Sequence, residues 1–263
     1  MVRRFLVDLP AGREPRPGDR ATLDADEARH LRTVLRLEAG ATVQLTDGRG
    51  HALEGELLEV GKQAATVAVT AVAMADDEVA PPRLHLACAV VKGRRFEYAL
   101  EKAVELGAHT ITPLVCERGV VDARAGKQDR WRGLLVAALK QCGRCHLPEL
   151  TTQQPLDAVL RDAPGPVHFG AAPGDLVGER PQAVTQLAAQ AQRRRLEGHA
   201  PPDDLVGLVG PEGGWTAAEL QGLAQAGAVP LVLGPHVLRT ETAAAITLAA
   251  LQEVRQAWRR GPA

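Results

Sequence analysis

Aromatic residues are nearly missing from this chain. Three phenylalanines, three tryptophans and one tyrosine serve 263 residues. That excludes a platform of rings on which single-stranded bases stack, so any grip on nucleic acid has to be electrostatic and shape-based. Long apolar runs are absent too, and none approaches the ~20 residues of a membrane span. The first ten residues, Met1 to Pro10, break their apolar run at Asp8 and are too short for the core of an export signal. A cytoplasmic protein is expected. The four cysteines are too few for a disulfide framework. Cys142-Gly-Arg-Cys145-His146 has the spacing of covalent haem attachment, but that requires export. Zinc would need a second ligand pair, and only the isolated Cys88 and Cys116 remain. A thioredoxin-like pair would open a helix, whereas this one ends a helical run. Reduced, partly buried thiols and no metal are the reading. Excess charge is also lacking: the net value is −1, which argues against indiscriminate polyanion binding.

Positive charge is nevertheless clumped. Arg29, Arg32 and Arg36 fall near one helical face, Lys92-Gly-Arg94-Arg95 is a dense group, and Arg118, Arg124, Lys127, Arg130 and Arg132 form a basic stretch. Ordinary solvated faces and nucleic-acid contacts both fit such patterns.

Residues up to about 75 read as a small β-barrel-like module. Asp24-Ala-Asp-Glu27 caps a short helix whose Leu31, Val34 and Leu35 share a face. Strands follow at Thr42–Leu45, Ala52–Leu57 and Ala65–Val72, the last alternating with period two. Residues 74–82, acidic and ending in Pro81-Pro82, read as a linker. From Leu84 strands and helices alternate: strands at Leu84–Val91, Thr110–Val115, Val167–Phe169, Leu205–Val209 and Leu231–Leu233, and helices at Phe96–Leu106, Asp129–Cys142 and Ala243–Trp258. The second helix should turn Trp131, Leu134, Leu135 and Ala138 inward. The alternation predicts a mostly parallel sheet covered by helices, with the proline-flanked stretch Ala171–Asp204 as a surface insertion.

The most informative segments are Leu205-Val-Gly-Leu-Val-Gly-Pro-Glu-Gly-Gly-Trp215 and Leu231-Val-Leu-Gly-Pro-His-Val-Leu-Arg-Thr-Glu-Thr242. Each is a strand-like run ending at a glycine and opening toward a helix. Thr216-x-x-Glu219 caps the first helix, and Thr240 or Thr242 the second. These loops should sit at the carboxyl ends of neighbouring strands, where open α/β sheets bind ligands. Gly210, Gly213, Gly214 and Gly234 let main chain approach a ligand; alternatively they serve only tight turns. The spacing matches neither a dinucleotide fingerprint nor a P-loop.

These two motifs resemble those of the RsmE-type 16S rRNA uridine-N3 methyltransferases of the SPOUT class. The likeness extends over nearly the whole chain, through Arg3-Arg4-Phe5, His30–Arg36, Lys102–Gly107, Glu117-Arg118 and Gln141–Arg144. It implies a PUA-like RNA-binding domain over residues 1–75 and a methyltransferase domain over 76–263, with a C-terminal trefoil knot cradling S-adenosylmethionine. It also implies a homodimer acting on 16S rRNA or the small ribosomal subunit. The cofactor would be read by Leu208, Val209, Gly210, Pro211, Glu212, Gly213 and Gly214 in the first loop. Leu233, Gly234, Val237, Leu238 and Thr242 would read it from the second, with Phe169-Gly170-Ala171 closing the pocket. Arg3, Arg4, Arg29, Arg32, Arg36, Arg94 and Arg95 would hold RNA. The chain departs from the family's usual pattern at His236, Gly119 and Trp215.

Methylation of uridine N3 requires loss of its proton. A cation near O2 or O4 stabilises the developing charge, and a carboxylate or water takes the proton. Arg118 and Arg239 are the candidate cations, Glu212 and Glu241 the candidate carboxylates; the arginines are alternatively ion-pair partners of those glutamates. Lys102, Glu105, Gln141 and Arg144 are structural, interface or substrate groups. Rival readings are a SPOUT enzyme for another RNA position or the ribose 2′-hydroxyl, and a non-catalytic RNA-binding protein. A nicotinamide enzyme is disfavoured by the missing glycine fingerprint.

Overall fold

The computed structural model describes residues 4–9, 13–119, 126–172, 175 and 182–260. The chain forms two compact units, Met1–Val79 with Val136–Leu147, and Ala80–Leu135 with Pro148–Ala263.

The first unit contains β1 (Phe5–Leu6), β2 (Arg20–Leu23), α1 (Ala25–Arg29), β3 (Thr42–Thr46), β4 (His51–Val60), β5 (Ala65–Met74) and α2 (Asp76–Val79). Its five strands lie in the order β1-β3-β4-β5-β2, with β1 parallel to β3 and the other pairs antiparallel. Ala65, Val67 and Val69 alternate inward along β5, as period two requires. Irregular register at Glu54/Gly55 and Leu57/Glu59 bends β4 and curls the sheet. Among the described residues β1 and β2 remain edges, so the expected barrel is a half-barrel. Its concave side holds Phe5, Leu23, Leu31, Leu45, Leu53 and Leu57, each worth roughly 1.5–3 kcal/mol by burial.

Asp24 caps α1, its Oδ1 accepting from the Glu27 N–H at 2.9 Å. The helix then widens into a π-turn over His30–Leu35, closed by Arg36 at φ 54°. The expected shared apolar face does not form. Leu31 is buried, but Val34 is 63% exposed and Leu35 40%, because the i→i+5 spacing rotates them off the face that Leu31 covers. The acidic linker is also more ordered than expected. Glu78 on α2 accepts from the backbone N–H groups of Cys145 and His146 at 2.8 and 3.0 Å and pairs with Arg144. Cys142 is half-buried, Cys145 is buried and all four cysteines are free. Burial raises the Cys145 thiol above its usual pKa.

The second unit runs β6 (Arg83–Ala89), α3 (Arg94–Glu105), β7 (Ala108–Val115), α4 (Gly126–Cys142), β8 (Glu149–Leu150), β9 (Gln154–Pro155), α5 (Leu156–Arg161), β10 (Val167–Ala171), β11 (Gln182–Ala183), α6 (Val184–Leu196), β12 (Asp204–Val209), α7 (Ala217–Gln225), β13 (Val229–Val232) and α8 (Thr240–Arg259). All its strand pairs are parallel, in the order β11-β13-β10-β12-β6-β7-β8, with β9 also on β7. The division between units falls within α4, where Trp131, Leu135 and Ala138 are buried and Leu134 half-buried. β12 is central and buried along its whole length, which explains its unbroken Leu-Val-Gly-Leu-Val run. At Gly207 a Cβ would meet Thr247 at 2.8 Å and Leu251 at 3.1 Å, so a glycine is what lets α8 lie on the strand. Ala171–Asp204 is not merely a surface insertion. β11 adds a strand beside β13, and α6 buries Leu187 and Ala191 while packing against α8. Its Gln/Arg-rich outer face hid that four-residue apolar spacing.

At the amino end of the sheet Asp204 accepts a bidentate pair from Arg83 at 2.8 and 2.9 Å, and His85 Nε2 lies 2.7 Å from its Oδ1. Burial opposes ionisation of Asp204, but the hydrogen bonds from Arg83 and His85 outweigh it and lower the pKa. A depressed folded-state pKa stabilises the fold above the unfolded carboxyl value of about 4, and that stability disappears as pH falls through the folded value. Asp204→Asn should therefore cost about 1.5–3 kcal/mol near neutrality and flatten the acid limb of stability. Denaturant titrations at several pH values check this; an unchanged acid limb would contradict it.

Candidate functional site

Three strand-to-helix or strand-end loops meet at the carboxyl edge of the second unit's sheet. The expectation that the two glycine loops follow neighbouring strands is corrected by the register: β10 lies between β12 and β13. Its own end, Gly170-Ala171-Ala172, becomes the middle wall. Together these loops line an open cleft of about 560 Å³. Val209, Gly210, Pro211, Glu212 and Gly214 line it from the first loop, and Leu233, Gly234, Val237 and Leu238 from the second.

The first loop is built by its own hydrogen bonds. Thr216 and Glu219 form the expected capping box, with the Glu219 N–H to Thr216 Oγ1 at 3.2 Å and the Thr216 N–H to Glu219 Oε2 at 2.8 Å. Trp215 is buried, donates from Nε1 to the Gly170 carbonyl at 3.0 Å, and meets Phe169 edge-on at 6.3 Å. The Trp215 ring thus ties two of the three loops together. Arg118 donates from Nη1 to the carbonyls of Gly213 and Trp215 at 2.9 and 3.3 Å. Its partners are backbone carbonyls, not Glu212 or Glu241.

The second loop enters α8 differently from expectation. Neither Thr240 nor Thr242 caps the helix; Arg239 occupies the N-cap position without a side-chain bond. The Thr240 hydroxyl instead reaches the Gly210 carbonyl at 3.2 Å, joining the two glycine loops. Thr242 is exposed and faces a second, more open cleft of about 1000 Å³. Arg94, Arg95 and Tyr98 of α3 line that cleft with Arg239 and Glu241. Val237 and Leu238 line both clefts, so this loop is the partition between them.

Of the residues expected at a cofactor, Phe169 and Leu208 are buried in their strands. Gly213 faces Arg118 rather than the cleft, its hypothetical Cβ falling 3.1 Å from the arginine's Cβ. Asp175, Ala172 and Ala243 line the cleft without having stood out in the sequence, and Thr240, expected only as a cap, lines it too. Asp175 Oδ2 accepts from the Ala172 N–H at 2.8 Å, a contact that no local motif announces. His236 also lines the cleft and is exposed.

The candidate carboxylates separate. Glu212 is exposed at the cleft and forms an ion pair with Arg95. Glu241 is buried, with no hydrogen-bond partner for Oε2. Arg239 is exposed and has no ion-pair partner among the described residues. Cys88 and Cys116 are buried behind the site. Burial pushes the Cys116 thiol up to about 12 and the Cys88 thiol higher still, so neither supplies a thiolate at neutral pH. Among the described residues no cluster of three metal-ligating side chains is present, and no helix is long and apolar enough to cross a membrane.

In the first unit, Arg4 donates to the Gly143 carbonyl and Arg29 pairs with Asp26 at 3.0 Å. Arg32 and Arg36 are exposed; Arg3 lies outside the described residues. Lys102 pairs with Glu105 along α3.

A parallel sheet with a glycine-lined cleft at its carboxyl edge, together with a half-barrel unit, defines a two-unit α/β protein built to hold a ligand at its strand ends. The RNA methyltransferase domain family matches residues 78–252, and the RNA methyltransferase PUA domain matches residues 23–70. The chain belongs to this RNA methyltransferase family. The ribosomal RNA small subunit methyltransferase E of Mycobacterium bovis is 31% identical over 248 residues, 93% of this chain and 90% of that protein. The structure of the enzyme of that name from Neisseria gonorrhoeae, bound to S-adenosyl methionine, shares 28% identity at a TM-score of 0.77, covering 97% of this chain and 98% of the other. A Legionella pneumophila methyltransferase structure with bound SAM shares 31% identity at a TM-score of 0.74, covering 95% and 98%.

Proposed function

We propose that this chain transfers a methyl group from S-adenosylmethionine to N3 of a uridine in the decoding region near the 3′ end of 16S rRNA, leaving S-adenosyl-L-homocysteine. The observation that carries the reading is the pair of clefts divided by residues 237–238: one walled by main chain, the other opening on Arg239. The first fits the cofactor. A Cβ on Gly234 would meet nothing within 4 Å, so that wall has room for a ligand against the main chain. Asp175, which lines this cleft, would hold the cofactor's amino group. When bound, the cofactor supplies an already activated methyl group.

The chain's own part is positioning and charge. Arg118 holds the first loop in shape through the Gly213 and Trp215 carbonyls. Arg239, with no ion-pair partner among the described residues, stabilises the charge that develops on the uracil as N3 loses its proton. Glu212, exposed at the first cleft, is one candidate acceptor for that proton, directly or through water. Glu241, which lines the second cleft with Arg239 and has no hydrogen-bond partner for Oε2, is the other candidate acceptor. Because N3 lies on the pairing edge, the base must be unpaired or flipped. Arg29, Arg32 and Arg36 of the PUA-like unit, which we place within residues 1–75, hold flanking phosphates.

The reading includes a trefoil knot. Its support is that β13 lies beyond β10 while α8 returns to pack on β12 and β6. It also includes a twofold homodimer working in the cytoplasm. Val237 and Tyr98, 73% and 47% exposed at the second cleft, support an interface there. Light scattering at low micromolar concentration should give twice the chain mass, and a monomer would contradict the assembly. The function itself is tested by incubating the protein with labelled cofactor and 16S rRNA, free or in small subunits, followed by nuclease digestion and mass spectrometry. A 3-methyluridine is expected; label on another base or on a ribose would overturn the assignment.

A further inference from the structure

We infer that a cleft formed by the β6–α3 loop and the start of α4 is a seat for RNA phosphodiester groups, an inference that rests on the RNA-methylating function proposed above. The cleft is open to solvent and has a cavity volume of about 400 Å³. Lys92, Arg94, Lys127 and Arg130 line it, above the buried rings of Phe96 and Trp131. Two basic segments more than thirty residues apart in sequence therefore converge on one concavity.

Among the described residues the charge at this cleft is not balanced. Glu97 is the carboxylate among the lining residues, and Arg130 neutralises it through contacts of 2.8 and 2.9 Å. Lys92, Arg94 and Lys127 are exposed and have no ion-pair partner among the described residues. Three uncompensated cations around one hollow, in a chain whose net charge is −1, mark a site for anions.

The backbone adds to this field. Gly93 sits at the N-cap of the twelve-residue α3 without a side-chain bond, at φ 72°, which favours glycine. The helix's first N–H groups are left without a side-chain cap, and the positive end of its dipole adds to the field of the lysines. Phe96 and Trp131 pack against each other at 4.7 Å between ring centroids and are at most 3% exposed. They offer no ring face for base stacking, so recognition falls to the phosphates.

Position in the sheet favours the RNA strand as the source of those phosphates. β6 is the immediate neighbour of β12, so its loop opens at the same carboxyl edge as the two clefts described above. Arg94 lines both this seat and the cleft that holds Arg239, while Arg95, the next residue, pairs with Glu212. A strand whose target base lies beside Arg239 thus has cations for its flanking backbone on the same unit.

The test uses the full chain carrying Lys92→Gln and Lys127→Gln, with binding to a 16S rRNA transcript measured across a salt series. RNA affinity should fall about tenfold, and the slope of log affinity against log salt should shrink by roughly one to two. Affinity for S-adenosylmethionine should stay unchanged, confirming an intact fold. The Lys92→Arg, Lys127→Arg variant should restore both RNA affinity and slope. Wild-type affinity and slope in the glutamine variant would overturn the inference. Displacement of RNA by millimolar inorganic phosphate at constant ionic strength would also overturn it, in favour of a free-anion site. If the unsubstituted protein binds the transcript but methylates no 16S rRNA substrate, the proposed function fails, while the seat is still decided by the binding series.

Discussion

Arg239→Ala is expected to reduce single-turnover methyl transfer by on the order of 10²-fold or more at saturating RNA, with S-adenosylmethionine affinity unchanged. The geometry separates the two effects. Arg239 lines the second cleft, on the far side of the partition formed by Val237 and Leu238. Its guanidinium has no ion-pair partner among the described residues, so removing it strands no carboxylate. Its exposure makes the alanine variant tolerable to the fold. Rapid-quench measurement with preformed complexes isolates the chemical step. A folded, cofactor-bound variant that transfers methyl at the normal rate would remove Arg239 from the chemistry. Arg239→Lys should recover only part of the rate, because a single ammonium replaces a planar, multidentate donor.

Gly234→Val should abolish detectable cofactor binding, a loss of at least about 100-fold, while leaving the fold intact. The space beside Gly234 is empty to 4 Å around an added Cβ, so the new side chain begins without a clash at that atom. It projects from a wall of the proposed cofactor cleft, where it excludes a ligand from the main chain. Gly213→Val probes something else. A Cβ there presses on Arg118, disturbing the loop through its tether. Calorimetry on both variants, after thermal melts confirm folding, tells these apart. Undiminished affinity in folded Gly234→Val would refute the cleft assignment.

Much of the second unit was legible because its signals are local. A central parallel strand buried on both faces reads as a continuous apolar run, as at Leu205–Val209. Thr216-x-x-Glu219 forms a cap whose partners lie three residues apart. The first unit's β3, β4 and β5 were readable for the same reason, since alternation is a property of adjacent residues. Misreadings occurred where a long-range partner or an unusual turn overrode the local pattern. Val34 and Leu35 left the core because the helix widens into a π-turn. Thr240 gave up capping because the Gly210 carbonyl lies within reach of its hydroxyl. The segment 182–196 joined the sheet and packed on α8 because Leu187 and Ala191 found an apolar surface there.

The sequence by itself determined the alternating α/β pattern, the two glycine loops and the residue types from which a methyltransfer site is built. Strand order belonged to the tertiary structure: β10 separates the two loop-bearing strands, so a third loop completes the cleft. So did the pairing of Glu212 with Arg95, the carbonyl partners of Arg118 and the meeting of Lys92 with Lys127. Composition and periodicity report what each segment buries. Which segments face one another depends on how helices and strands from distant parts of the chain exclude water together, and only the folded chain sets those distances.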